Sequence, residues 1–207
     1  MNTFIIIDVQ KDFMPGGALA VPRGDTIVPV INKLQDYFDV VLATQDWHPK
    51  NHKSFASNHT EKKPFDRMVL HGIHQTLWPD HCVQGTVGAE FHKDLLTDKF
   101  SAIFRKGMDP EVDSYSGFYD NNHQSGTGLA GCLKDKGAID LFFCGLAADI
   151  CVYYTILDSI LEGFSATLIE DASCPLYPDK FDDVKCELEK LGVHIINSHE
   201  IFKSATS

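Results

Sequence analysis

Asp8, Asp46, His48, His81, Lys106 and Cys151 carry side chains suited to nucleophilic, acid-base and metal-ligand chemistry. Cys151 ends the run Gly145-Leu146-Ala147-Ala148-Asp149-Ile150-Cys151, a glycine-containing turn that leads into an apolar stretch with helical spacing. Helix N-terminal amides and the helix dipole stabilise a thiolate, and the same amides can hold a developing oxyanion. A free cysteine is also a common packing residue, and position alone leaves both readings open for Cys151. Cys82, Cys132, Cys144, Cys174 and Cys186 read as packing residues. Asp8 closes the apolar run Phe4-Ile5-Ile6-Ile7. A strand-end carboxylate caps or pairs with a neighbour, or serves as a general base when burial raises its pKa. A lysine such as Lys106 on the same edge favours the base and strengthens the case for a thiolate.

Asp46-x-His48 is a ligand spacing, because residues i and i+2 of an extended segment point the same way. His81 lies in Leu77-Trp78-Pro79-Asp80-His81-Cys82, which proline stiffens, and is the candidate third ligand. One carboxylate and two imidazoles leave coordination positions open for water or substrate, as catalytic metal sites do. His52, His59, His71, His74 and His92 read as solvated surface residues.

Such scattered residues need a fold that gathers them. Strands are expected at Phe4–Asp8, Val40–Thr44, Ala102–Phe104, Asp140–Cys144, Ala166–Glu170 and His194–Ile196. Most are unbroken apolar runs, the pattern of strands covered on both faces. Helical spacing joins Ile27, Val28, Ile31, Leu34 and Phe38. A second helix fits Ile150 to Glu162 before Gly163, and a third runs through Phe181, Val184, Leu188 and Leu191 to Gly192. This alternation predicts an α/β fold, a single-domain three-layer α/β/α sandwich over 1–207 around a mostly parallel sheet of about six strands. In such sheets ligands bind at the carboxyl ends of the strands, where the reactive residues fall. The long segment between the strands ending near Thr44 and starting near Ala102 breaks the rhythm and carries most of the histidines. Segments of that kind are usually functional.

Composition excludes whole classes. The 207 residues hold 18 basic and 29 acidic side chains, a net charge of -11. A chain this acidic is ill suited to tracking nucleic acid or coating an anionic membrane, and no apolar run reaches the ~20 residues of a bilayer span. Six cysteines without a C-x-x-C pair point to reduced thiols and a cytoplasmic protein. The N-terminus reads as a first strand and not as a signal peptide.

Larger motifs connect these residues: Asp8-Val9-Gln10-x-Asp12-Phe13, Asp46-Trp47-His48-Pro49, Trp78-Pro79-x-His81-Cys82-x-x-Gly85-Thr86, Lys106-Gly107, Tyr115-Ser116-Gly117-Phe118 and Gly145-Leu146-Ala147-Ala148-Asp149-x-Cys151-Val152. Their order and content resemble the isochorismatase-like cysteine hydrolases, in particular the branch that acts on nicotinamide and pyrazinamide. The resemblance implies a triad of Asp8, Lys106 and Cys151, and metal ligands Asp46, His48 and His81, with Ser54 at the position of a further direct or water-mediated ligand. It implies aromatic walls from Phe13 and Trp78 with Tyr115 close by. It also implies a non-proline cis peptide at Ala147-Ala148, aiming the N–H groups of Ala147 and Cys151 at an oxyanion. One divalent metal ion is implied, zinc first, with iron and manganese suited to the same donors. The implied reaction converts nicotinamide to nicotinate and ammonia through a thioester, in NAD salvage. The full Asp46, His48 and His81 set separates the pattern from metal-free branches of the family. Oligomeric state, monomer or homo-oligomer, stays open.

Overall fold

The computed structural model describes residues 1–204. Six strands, β1 (Asn2–Ile7), β2 (Val40–Asp46), β5 (Phe100–Lys106), β6 (Asp140–Leu146), β7 (Ser165–Cys174) and β8 (His194–Ile196), form one sheet in the order β5-β2-β1-β6-β7-β8. Every pairing in it is parallel. In β1, Phe4 and Ile6 enter the core on one face and Ile5 and Ile7 the core on the other. Both faces are dry, which is why the strand reads as an unbroken apolar run. Helices α1 (Val28–Leu34) and α5 (Ser198–Ser204) cover the first face, and α2 (Leu129–Asp135), α3 (Tyr153–Leu161) and α4 (Phe181–Lys190) the second. Fully burying a leucine or isoleucine contributes about 1.5–3 kcal/mol, so these two cores hold the sheet rigid under its loops.

The expected strands are all present; His194–Ile196 has the expected ends and the other five have shifted ends. The first stops at Ile7, because Asp8 adopts φ 48 and turns the chain out of the sheet. Lys106 is the last residue of β5 and not a residue beyond it. The expected first helix is shorter: α1 lies between 3-10 turns at Gly24–Ile27 and Gln35–Tyr37. The second begins as a π-type turn, Ala148–Val152, in which the Val152 N–H donates to the Ala147 carbonyl at 3.1 Å. Sequence periodicity did not disclose α2, α5 or an antiparallel hairpin of β3 (Arg67–Leu70) and β4 (Ile73–Thr76) within the long segment. The hairpin turn, His71 at φ 48 and Gly72 at φ 84, has positive φ at both central positions, as two-residue hairpins prefer. Among the described residues no helix is long and apolar enough to cross a membrane.

Candidate active site

Four neighbouring strands, β5, β2, β1 and β6, deliver Lys106, Asp46, Asp8 and Cys151 to one edge of the sheet. Asp46 and Lys106 are the final paired residues of β2 and β5. The Lys106 ammonium sits between the others: Nζ lies 2.9 Å from Asp8 Oδ2, 2.5 Å from Asp46 Oδ1 and 3.4 Å from Cys151 Sγ. It also donates to the Ser114 carbonyl at 3.0 Å. Thr44 Oγ1 donates to Asp8 Oδ1 at 2.6 Å. Asp8 Oδ2, although close to the ammonium, has no aligned hydrogen-bond donor and is free to accept a proton. Asp8, Asp46 and Cys151 each offer an atom within 4.8 Å of the other two.

Burial drives the electrostatics. It pushes Asp8 above the usual carboxylate range, opposed by Lys106 and Thr44 and assisted by Asp46. Burial disfavours the Asp46 anion too, but Lys106 and His48 outweigh it and hold that carboxyl well below its ordinary value. Lys106 stays charged, since Asp46 and Asp8 overcome the cost of burying it. Burial pushes the Cys151 thiol well up, and Lys106 offsets this only in part against Asp8 and Asp46. A neutral thiol beside a carboxylate of raised pKa is an arrangement in which a proton moves during the reaction rather than before it.

The second cluster adjoins the first through Asp46. His48 Nε2 and His81 Nε2 stand 3.5 and 3.7 Å from Asp46 Oδ2. Their Nδ1 atoms are tied to backbone carbonyls, His48 to Gly107 at 2.9 Å and His81 to Pro79 at 2.8 Å. That leaves both Nε2 lone pairs directed at a common point, the second-sphere arrangement metal-binding histidines use. One oxygen and two nitrogens within 4.8 Å of one another suit a divalent first-row ion and leave open positions. Gly107 makes the approach feasible. At φ 64 it has no side chain, and a Cβ there would fall 2.3 Å from His48 Cε1.

A cavity opens onto both clusters, lined by Phe13, Trp78, Tyr115, Leu19, Ile150, Leu176 and Ala147 among others. Flat aromatic walls with a few polar groups suit a small planar ligand. Trp78 Nε1 donates to the Tyr115 hydroxyl at 3.3 Å. Ser54 stands one step back, its Oγ 2.7 Å from His52 Nδ1. The cis peptide is Leu146-Ala147, one bond before the expected position, so it is the amide of Ala147 itself that carries the cis geometry.

Two further expectations need correction. His52 is fully buried and not solvated, ring to ring with His48 at 4.5 Å; His59 and His92 are partly buried, while His71 and His74 are exposed as expected. Cys186 is exposed and not a packing residue, because it lies on the outer side of α4, and Cys132 and Cys174 are only half-buried. Sequence reading assigned no role to Gln75 or Asp113, nor to Gln10 and Asp12 beyond their place in the Asp8-Val9-Gln10-x-Asp12-Phe13 motif. Asp113 is buried in the cavity wall, where Gln75 Nε2 donates to its Oδ2 at 2.9 Å. Its one sequence signal was the acidic residue two positions before Tyr115.

The sequence matches the isochorismatase domain over residues 2–200, and the chain belongs to the isochorismatase family. Within it the similarity runs to nicotinamidases. The nicotinamidase of Acinetobacter baylyi is 48% identical over 168 residues, 81% of this chain and 78% of that protein. The solved nicotinamidase/pyrazinamidase of Acinetobacter baumanii superposes with a TM-score of 0.93 at 43% identity, covering 97% of each chain. A protein of L. infantum solved in complex with nicotinate gives 0.85 at 38% identity, covering 96% and 93%. The pyrazinamidase of Pyrococcus horikoshii, solved in complex with zinc, gives 0.78 at 36% identity, covering 95% and 98%.

Proposed function

We propose that this chain is a metal-dependent cysteine amidohydrolase that converts nicotinamide to nicotinate and ammonia, a step of NAD salvage. The observation that carries this reading is the Lys106 ammonium touching Asp8, Cys151 and Asp46 together, which joins a nucleophile to a ligand cluster in one cavity.

Phe13, Trp78 and Tyr115 bind the ring, and Asp46, His48 and His81 hold the divalent ion, zinc being the ion in the similar Pyrococcus horikoshii pyrazinamidase. When bound, that ion supplies Lewis-acid coordination for the pyridine nitrogen. Asp8 takes the thiol proton of Cys151 as sulfur attacks the carboxamide carbon. Lys106 favours the anionic partner at each stage, and the N–H groups of Ala147 and Cys151 receive the oxyanion. Asp8 returns the proton to the departing nitrogen, which leaves as ammonia. Asp8 then deprotonates a water that cleaves the thioester, giving nicotinate and the free thiol. Pyrazinamide, with the same carboxamide and ring shape, is a second substrate. The free thiols among the described residues support a reducing, cytoplasmic setting.

The test is ammonia release from nicotinamide, with and without a chelator. The wild type turns over and the chelated protein does not. Cys151→Ala loses on the order of 10⁴-fold or more in kcat while retaining its fold and metal content. Cys151→Ala with wild-type turnover would sink the covalent mechanism.

A further inference from the structure

We propose that Gln10 is a positioning residue for Asp46, standing in for the strand that Asp46 lacks on one side and so fixing its carboxylate for the metal. The proposal rests on the reading of Asp46, His48 and His81 as metal ligands. In a β-strand the N–H and C=O of one residue point to the same side. The β1 register with β2 runs only to Ile6↔Ala43, and Asp8 at φ 48 then carries the chain out of the sheet. Asp46, three residues further along β2, therefore meets no backbone from β1. On the opposite side it keeps Lys106 of β5.

The side-chain amide of Gln10 fills the gap. Its Oε1 accepts the Asp46 N–H at 2.7 Å, and its Nε2 donates to the Asp46 carbonyl at 2.8 Å. The remaining Nε2 hydrogen goes to the Ala89 carbonyl at 2.8 Å. Gln10 is fully buried, and one acceptor and two donors in that layout are what a primary amide supplies and a carboxylate or thioether cannot. Without it, a buried N–H and C=O at Asp46 lose their partners, and such groups seek others by local rearrangement. Asp46 has little room for that. Oδ1 is committed to Lys106 and Oδ2 faces the two histidines, so a backbone shift withdraws the ligand oxygen from their common point.

The experiment measures metal affinity on stripped protein. Gln10→Met and Gln10→Glu are titrated with zinc against a chromophoric chelator, and cobalt-loaded samples are read by their absorption spectra. Affinity is expected to fall roughly 10–100-fold, as for other outer-sphere partners of metal ligands, with an altered cobalt spectrum. Gln45→Met is the control. Gln45 also donates to the Ala89 carbonyl, at 3.0 Å, so this variant weakens the same segment and is expected to bind zinc like the wild type. Affinity within twofold of wild type in both Gln10 variants overturns the proposal, and so does an equal loss in Gln45→Met. A readout that needs no variant is hydrogen exchange of the wild type. The Asp46 amide is expected to be protected like the central amides of β2, and fast exchange there overturns the proposal. Asp46→Ala with undiminished zinc affinity overturns the metal-ligand reading itself, a separate outcome.

Discussion

Lys106 is one ammonium serving two anionic systems, and its position explains why a lysine is buried at all. Removing a partner from a buried ion pair costs about 3–5 kcal/mol, because it leaves an uncompensated charge. Here Asp8 and Asp46 both lean on the same cation, so neither can be lost without disturbing the other. His52 shows the opposite solution, burial as a neutral ring. Burial lowers its pKa from 6.5 to about 4. As pH falls, the unfolded chain takes up this proton first, so stability is full above the ordinary histidine value and is lost as pH drops toward the folded value. For the metal-free protein the loss attributable to His52 between pH 7 and pH 5 is about 2 kcal/mol. Urea midpoints at the two pH values should therefore differ less in His52→Gln than in the parent. An unchanged difference would show that His52 is not the group responsible.

At the scale of elements, the segment leaving β1 does more than end a strand. Alternate residues serve successive parts of the site: Asp8 beside the thiol, Gln10 on the Asp46 backbone, and Asp12, whose Oδ2 accepts the N–H of Cys82 next to His81 at 2.7 Å. The β3-β4 hairpin acts from the other side. From β4, Gln75 Nε2 donates to the Tyr115 hydroxyl and to Asp113 Oδ2, each at 2.9 Å. It thereby holds the aromatic wall without touching Cys151. Gln75→Leu should raise KM about 10-fold, the worth of roughly one such bond, and change kcat much less; steady-state kinetics on nicotinamide separate the two, and an equal fall in kcat would refute the assignment. These elements also mark the limits of the sequence. Asp8, Asp46, Lys106 and Cys151 could be read because each sits at the end of an apolar run or in a distinctive turn. The role of Gln10 could not, although the residue lies in the Asp8-Val9-Gln10-x-Asp12-Phe13 motif, since its partners lie 36 and 79 positions away. The hairpin escaped because His71-Gly72 replaces the more familiar Asn-Gly turn signal, and its strands show only partial alternation of burial. Asp8 itself was legible, but its φ of 48, which sends the following residues over the site, was not.

Across the whole molecule, the proposed metal ligands come from two mechanically different parts. Asp46 ends a strand covered on both faces and His48 follows two residues later, whereas His81 belongs to the long excursion between β2 and β5. That excursion is pinned to the body by isolated bridges, Gln10↔Phe91 and, beside the end of β2, His48↔Val83, and not by a continuous ladder. A bound ion adds a cross-link between excursion and sheet. Metal at 1,000 times its Kd stabilises the folded state by about 4 kcal/mol, on the order of 10 °C in Tm for a domain of this size. Local stability follows local contacts, so chelation should act unevenly. Hydrogen exchange should accelerate across 52–90 while the amides of β1 and β6, paired on both sides within the sheet, keep their protection. Uniform acceleration over the chain would mean that the ion stabilises the fold only globally, and unchanged exchange in 52–90 would remove the cross-link from the account.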